Sequence, residues 1–305
     1  MARAAPGALA LARDADSAAP HYARGGAAWL TVMRRSPQLW IGGAILVIMV
    51  GGAFLAPWLA PYSPSQMAAG PSLAPPSASH WFGTDKLGRD TLSRALYGGR
   101  VSLSVSFAAV LLSLLVGVAL GLFSGYWGGL LDSVLMRVMD GLLAFPGLIL
   151  ALTVAFALGP SVFSVIFALG IVRIPVFARI VRGQVLALRP QEFIVAAEVI
   201  GAPPARVVGR YLLPNLVGII LVQISLSAGA VIFAEASLGF LGLSVPPPTP
   251  TWGGMLHDGY AYLETSPWQS IVPGAIIFLA VLSFNFLGDG LQDLLDPRRR
   301  RRGRS

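Results

Sequence analysis

The sequence predicts an all-α membrane protein with six transmembrane helices. Of its 305 residues, 55% are hydrophobic and only 12% are charged, and the mean hydropathy is +0.71. Soluble domains carry about 25% charged residues, so this chain has too few charges to cover a large soluble globule. The apolar residues gather in six runs, each close to the roughly 20 residues that a spanning helix needs. Most basic residues fall between these runs, which fits membrane topology better than nucleic-acid binding.

The first segment, residues 1–38, is predicted to be a cytoplasmic tail. It is rich in Ala, Gly and Arg, and it lacks the compact apolar core and cleavage site of a secretory signal. Near its end, Arg34 and Arg35 lie between apolar residues in the stretch Trp29–Trp40. This pattern favours a short interfacial helix whose arginines reach the membrane surface.

The membrane-spanning part begins at residue 39. A first transmembrane helix is expected within residues 39–61, because Pro61 ends the apolar run. A polar outer loop, residues 62–98, separates it from a five-span core over residues 99–291, and residues 292–305 form a basic tail. The predicted spans are Leu39–Leu59, Val101–Tyr126, Leu142–Leu158, Ser161–Phe177, Leu216–Phe233 and Ile271–Leu287.

The distribution of arginine predicts the orientation. With both termini in the cytoplasm, most basic residues lie on the inner side, including the run Arg298–Arg302. The exceptions on the outer side are Lys86, Arg89, Arg94 and Arg100. They belong to a longer loop, and such loops cross membranes with less regard to charge. The positive-inside rule therefore predicts cytoplasmic termini.

A polar island, Gln191–Asn215, lies between the fourth and fifth spans. Its first part has the composition of a helix that ends at Gly201, and Pro204 can start another helix. We therefore predict two short helices joined by a tight turn, the second over Ala205–Leu212. The island is the part of the chain best placed to meet a soluble partner.

The island also carries small residues on its first helix. Ala196, Ala197 and Gly201 would let another protein approach closely. The pattern alone leaves a second interpretation open, an amphipathic inner loop that lies on lipid.

Two ionisable residues fall within or beside predicted spans. Glu235 lies near the outer end of the fifth span, where it either has a functional role or caps or hydrogen-bonds a helix at the interface. Arg173 interrupts the fourth span, where it lines a pore, pairs with an acid of a neighbouring subunit, or lies close to the inner boundary.

Other features are predicted to be structural. Gly117, Gly121 and Gly125 recur every four residues in the second span, which allows another helix to pack closely. The charged groups expected to be structural are the surface pair Arg137 and Asp140 and the network of Asp85, Arg89 and Asp90.

The sequence does not predict an enzyme. It has no Gly-rich phosphate loop that ends in Lys and Ser/Thr, and its single lysine, Lys86, lies in an outer loop. Cysteine is absent, and His21, His80 and His257 are far apart, so no metal site is expected. An ATP-driven process would therefore need a partner to supply the energy.

The island resembles the cytoplasmic coupling loop of ABC-importer permeases. That pattern is Glu-Ala-Ala, three residues, Gly, nine residues, Ile, one residue and Leu-Pro. Val195 replaces the acidic residue and Tyr211 replaces Ile. The matching positions are Val195, Ala196, Ala197, Gly201, Tyr211, Leu213 and Pro214.

The resemblance extends to three other segments in the same order. They are His80–Leu103, Gly239–Leu256 and Asn285–Arg298, which are similar to the dipeptide, oligopeptide and nickel permease subfamily. The similarity is greatest to the second of the two permease subunits in those importers.

The resemblance implies a type I ABC-importer permease fold in a bacterial inner membrane. It implies a homologous permease subunit as heterodimer partner, two cytosolic ATPases that bind ATP and Mg, and an external binding protein. This chain would bind no cofactor itself and would form the path for dipeptides, oligopeptides or similar solutes.

The resemblance also implies that the coupling loop, with Arg206 beside the motif positions, would contact the ATPase. Glu235 and Arg173 are candidates for the pore or gate because they are ionisable residues within or beside the spans. Pro247, Pro248 and Trp252 would either contact the binding protein or cap the spans. The alternatives to such a permease are an ion-coupled secondary transporter that acts alone and a membrane scaffold.

Overall fold

The computed structural model describes residues 36–295, which form helices and connecting loops without a strand. The terminal segments 1–35 and 296–305 lie outside the described residues, and so does most of the interfacial helix predicted for Trp29–Trp40. The helices are α1 (Pro37–Phe54), α2 (Ala56–Leu59), α3 (Thr91–Trp127), α4 (Gly129–Leu143), α5 (Gly147–Leu158), α6 (Val162–Leu188), α7 (Glu192–Val199), α8 (Pro204–Arg206), α9 (Leu213–Phe240), α10 (Trp252–Tyr260) and α11 (Trp268–Leu295). A π-helical turn, Val207–Leu212, joins α8 to α9.

Five helical stretches of residues 36–295 are long and apolar enough to cross a membrane. They are α1, α3, α6, the stretch Pro204–Phe240 and α11. A sixth span exists when α4 and α5, which meet at a bend of 91°, are counted together. The all-α membrane fold is therefore confirmed, with a bent pair in the place of the third span.

The third span differs from the prediction of one helix over Leu142–Leu158. The structure breaks this stretch, because α4 ends at Leu143 and α5 begins at Gly147. With 12 residues, α5 is about 18 Å long, less than the roughly 30 Å of a hydrocarbon core. Pro146 explains the break, because it has no N–H to donate to a carbonyl one turn earlier.

The second span begins earlier than predicted, at Thr91 rather than Val101. Asp90 caps the new first turn, and its carboxylate accepts a hydrogen bond from the backbone N–H of Ser93 at 2.8 Å. The last part of the predicted outer loop is therefore helical.

The fourth span ends later than predicted, at Leu188 rather than Phe177. Pro175 lies inside α6 without ending it. The apolar run ends where arginines begin, but the helix continues through them. One helix therefore connects the middle of the membrane to the polar island.

The central helix pair is α3 with α6, and glycines allow its close approach. A Cβ built at Gly117, Gly121 or Gly125 would lie 2.6, 2.6 or 2.8 Å from the nearest atom of α6. Real side chains do not approach this closely, so the two helices pack at this distance only because these positions lack a Cβ. The predicted packing role of the three glycines is confirmed.

Large apolar side chains remain exposed on several spanning helices of this single chain. Val47 and Ile48 on α1, Leu130 on α4 and Phe156 on α5 are among them. Such a surface suits contact with lipid or with another membrane subunit. The fold thus places its polar segments at the two ends of an apolar bundle.

Candidate functional site

The first candidate site is the short helix α7, which connects α6 to the stretch Pro204–Phe240. It ends at Gly201, which has a φ of +78°. The N–H of Gly201 donates to the Glu198 carbonyl at 3.0 Å, and that of Ala202 donates to the Ala197 carbonyl at 3.0 Å. Gly201 is therefore required by the backbone conformation of this helix end, and nothing packs near the position of its missing side chain.

The inward face of α7 packs on the ends of three longer elements. Ile194 is buried in a cluster with Tyr126 of α3, Val185 of α6 and Leu216 of α9. Ala197 is also buried, with 3% of its surface exposed. In this structure the chain's own core covers Ala197, which leaves almost no exposed side chain there for a partner to contact. The inner cluster, defined by these residues, fixes α7 to the bundle.

The outward face of α7 is apolar and uncovered. Val199 and Ile200 are 81% and 79% exposed, and Val195 and Ala196 are exposed beside them. Apolar side chains in this number on so short a helix indicate a surface that another molecule covers. We call these four residues the outward face.

The remaining positions of the coupling pattern lie on the continuation of the chain. Arg206 is exposed in α8, and Tyr211 is half-buried in the π-helical turn. Leu213 and Pro214 are exposed in the first turn of α9. The predicted separate helix over Ala205–Leu212 is wrong, since the helical stretch is continuous into α9. Pro214 cannot donate to the carbonyl one turn earlier, and the wider π turn lies directly before it.

Ion pairs connect the bent pair to α6 near the same end of the bundle. Asp132 of α4 accepts two hydrogen bonds from Arg182, from Nε at 2.6 Å and from Nη2 at 2.7 Å. Asp140 pairs with Arg179 of α6, so the predicted partner Arg137 is wrong. Spacing along one helix predicts Arg137 as the partner, but the fold places α6 beside α4 and brings Arg179 to Asp140.

The candidate pore residues differ in their surroundings. Arg173 is half-buried near the middle of α6 and has no hydrogen-bond or ion-pair partner among residues 36–295. Glu235 is completely buried. Ser244 donates to its Oε1 at 3.2 Å, and Ser102 of α3 lies beside the carboxyl group. These contacts favour the structural alternative for Glu235, in which it hydrogen-bonds neighbouring elements, because they connect α9, its following loop and α3.

The three candidate residues for binding-protein contact differ in their exposure. Trp252 is only 2% exposed, and its Nε1–H donates to the Ala95 carbonyl of α3 at 3.0 Å. It therefore caps the spans and is too buried to meet a binding protein in this structure. Pro247 and Pro248 are exposed at the rim of a cleft of about 540 Å³.

Charged residues of the predicted outer loop line this cleft. Arg89 pairs with Asp85 at 2.6 Å, as predicted. Asp90 instead binds His80 at 2.9 Å and caps α3. Asp258 contacts Lys86 at 2.9 Å, and no sequence pattern indicates this contact, because the two residues are distant along the chain.

These features together define a polytopic membrane transport component that presents a short apolar-faced helix at one end. The comparisons with known proteins make this specific. A family model described as "Binding-protein-dependent transport system inner membrane component" matches residues 117–301. A second model, "N-terminal TM domain of oligopeptide transport permease C", matches residues 27–76.

Individual relatives agree over most of the chain. The dipeptide transport system permease protein DppC of Alkalihalophilus pseudofirmus is 43% identical, with 85% of each chain covered. The probable D,D-dipeptide transport system permease protein DdpC of Escherichia coli is 39% identical over 90% of this chain and 92% of its own. The glutathione transport system permease protein GsiD of Shigella sonnei is 42% identical over 87% and 88%.

A solved structure supports the fold. The MetNI methionine ABC transporter, in inward-facing conformations, has a chain that matches with a TM-score of 0.54 at 18% identity. The match covers 67% of this chain and 97% of that chain.

The chain therefore belongs to the family of binding-protein-dependent transport system inner membrane components. It is the transmembrane permease subunit of an ABC importer, and its role is transport. The findings support this class over an ion-coupled transporter that acts alone.

Proposed function

We propose that this chain is one of two permease subunits of an importer for dipeptides, oligopeptides or similar small peptides. Relatives of similar identity are named for dipeptides, D,D-dipeptides and glutathione. These solutes are all short peptides with at least one free carboxylate. The relatives therefore support short peptides as the class of solute better than they support any single peptide. A homologous permease completes the pore.

The outward face of α7 carries this proposal, because it is the docking surface for a cytosolic ATPase. ATP and Mg bind to that partner, which closes on ATP and pushes on α7. Because Ile194 and Ala197 hold α7 against the ends of α3, α6 and α9, the push moves these helices together. Gly201 contributes by fixing the end of α7, and Ala197 by close packing within the permease.

The other proposed partners follow from the orientation that the arginines predict. Both termini and α7 face the cytoplasm of a bacterial cell, across its inner membrane. The external binding protein delivers peptide on the opposite side, where Pro247 and Pro248 are exposed at the cleft rim. Arg173 lines the path, because an arginine in the middle of a spanning helix needs water or a counter-charge, and residues 36–295 supply no counter-charge.

The docking proposal is tested by making the outward face polar. We expect Val199→Gln with Ile200→Gln to reduce copurification of the ATPases and peptide uptake by at least about tenfold. Loss of two apolar contacts costs on the order of 1.5–3 kcal/mol each, and 1.4 kcal/mol is a factor of ten. Both side chains are exposed, so the folded permease itself should be little affected.

The matched control is Leu186→Gln, another exposed apolar residue near the inner end of α6. It should leave ATPase copurification and uptake near the unmodified level. If the double variant keeps its ATPases and transports normally, the outward face is not the docking surface.

A further inference from the structure

The cleft on the predicted outer side has two chemically different walls. One is apolar and rigid, made by Pro160 and the run Pro246–Pro248. The other carries Lys86, Arg89 and Arg94. Its volume of about 540 Å³ falls within the roughly 300–1,000 Å³ of small-molecule sites. The cleft is therefore large enough for a short peptide.

Positive charge exceeds negative charge along the second wall. Arg89 contacts Asp85 at 2.6 Å, and Lys86 contacts Asp258 at 2.9 Å. Arg94 shares the same two carboxylates at the longer distances of 3.5 and 3.7 Å. Three cations thus have two carboxylates between them, which leaves one positive charge without a full counter-charge.

The surplus is concentrated on Arg94. This residue is only 5% exposed, and its Nη1 has no hydrogen-bond partner among the described residues. A buried charged donor without a partner is costly. Guanidinium groups bind carboxylates strongly, and Arg94 lines the cleft, so a carboxylate there would supply the missing counter-charge.

We propose that this cleft binds the terminal carboxylate of a small peptide, with Arg94 and Lys86 as the cationic groups. The inference rests on the proposed peptide transport and adds a site where the permease receives the solute. The prolines that line the same cleft take the apolar side chain of the peptide. The terminal carboxylate is common to all such peptides, so this site recognises short peptides in general and does not discriminate among their amino-acid sequences.

A competing explanation involves water. A second cavity of about 10 Å³ lies beside Arg94, lined also by Asp85, Thr91, Asp258 and Gln269. It holds at most one water molecule, which would satisfy Nη1 without any ligand. That explanation predicts that the cleft does not distinguish a carboxylate from an uncharged group.

The experiment uses the full-length chain with its copurifying subunits in lipid nanodiscs, without binding protein. The probes are radiolabelled alanyl-alanine and its C-terminal amide, measured by equilibrium dialysis at low and high salt. We expect the acid to bind about tenfold more tightly than the amide, since it alone forms charge-assisted hydrogen bonds. Its affinity should fall as salt increases.

Two variants locate the binding. Lys86→Gln changes a side chain that is 39% exposed at the cleft, so it should fold, and it should weaken binding of the acid several-fold without affecting the amide. Arg94→Lys should weaken it as well, because lysine does not reproduce the hydrogen-bond donors of the guanidinium group. Arg100→Gln is the control, an exposed arginine of α3 outside the cleft, and should bind both probes normally.

Equal binding of acid and amide would overturn the site, and so would unchanged acid binding in Lys86→Gln. Affinity for the binding protein is measured separately on the same variants. If Lys86→Gln loses that affinity but keeps peptide binding, the cleft receives a side chain of the binding protein, and the proposed peptide site is wrong. Uptake of alanyl-alanine by the complete transporter is measured in parallel. Absent uptake contradicts the proposed function, whereas normal uptake with no preference for the acid contradicts this inference alone.

Discussion

The close contact between α3 and α6 offers a sharp test of the structure, through Gly121→Leu. Gly121 lies near the C-terminal end of α3, against Ala178 and Val181 of α6. A Cβ at this position would lie 2.6 Å from the Ala178 carbonyl oxygen and 2.8 Å from Val181 Cβ. The first of these atoms belongs to the backbone, so it cannot move away by changing a rotamer.

The size of the effect follows from these distances. Ordinary contacts begin at 3.4 Å, so the helices must separate by about 0.8 Å before any further atom of the leucine is placed. A gap of about 0.5–1 Å forfeits a quarter to a half of the dispersion energy of each contact. Overpacking of this kind costs about 1–3 kcal/mol, and the gain in helix propensity returns about 1 kcal/mol.

The control is Gly183→Leu in α6, where a Cβ would meet nothing within 4 Å. It receives the same propensity gain without the clash. We expect Gly121→Leu to unfold at a lower temperature than Gly183→Leu when both are measured in detergent, and to transport less. Equal or higher stability for Gly121→Leu would show that α3 and α6 do not pack through this position.

Two further predictions concern buried polar contacts. Trp252→Phe removes the hydrogen bond to the Ala95 carbonyl and should lower the free energy of unfolding by about 1 kcal/mol. The control Trp268→Phe, at a more exposed position, should change the free energy of unfolding little. Equal effects of the two substitutions would contradict the anchoring role of Trp252. A double-mutant cycle of Asp132→Asn and Arg182→Gln, read by thermal unfolding, should give a coupling energy of about 0.5–1 kcal/mol, limited by partial exposure. The same cycle on Asp140 and Arg179, whose side chains are both 51% exposed, should give less, and a larger value there would contradict the ranking.

The fold class could be predicted because spanning helices must satisfy their own backbone in lipid, which makes length and hydropathy sufficient. Helix ends could not be predicted equally well. The apolar run of the fourth span stops near Arg173 and Arg179, but charge ends only the apolar run and leaves the helical hydrogen bonds intact. Conversely, Pro146 interrupts a run that hydropathy treats as continuous.

The candidate site was predictable in its position along the chain and less so in its exposed face. The spacing of small residues identified α7, but two neighbouring alanines cannot be assigned to opposite sides without the packing. The structure covers Ala197 and leaves Ala196 open. Contacts such as that of Lys86 with Asp258 depend on the fold alone, since no local pattern joins residues so far apart.

The continuous helical stretch Pro204–Phe240 connects the two ends of the molecule. At its inner end, Leu212 and Leu216 belong to the inner cluster that holds α7. At its outer end, Gly239 lines the cleft, and the nearby Ala236 packs against Gly253 of α10 so closely that a Cβ on Gly253 would lie 2.4 Å from its carbonyl oxygen. Beyond Pro214 this helix moves largely as a rigid rod, so displacement of α7 by a partner would either tilt the rod or break the inner cluster. Because the cluster is buried and close-packed, tilting is the easier response, and it changes the cleft at the far end of the same helix.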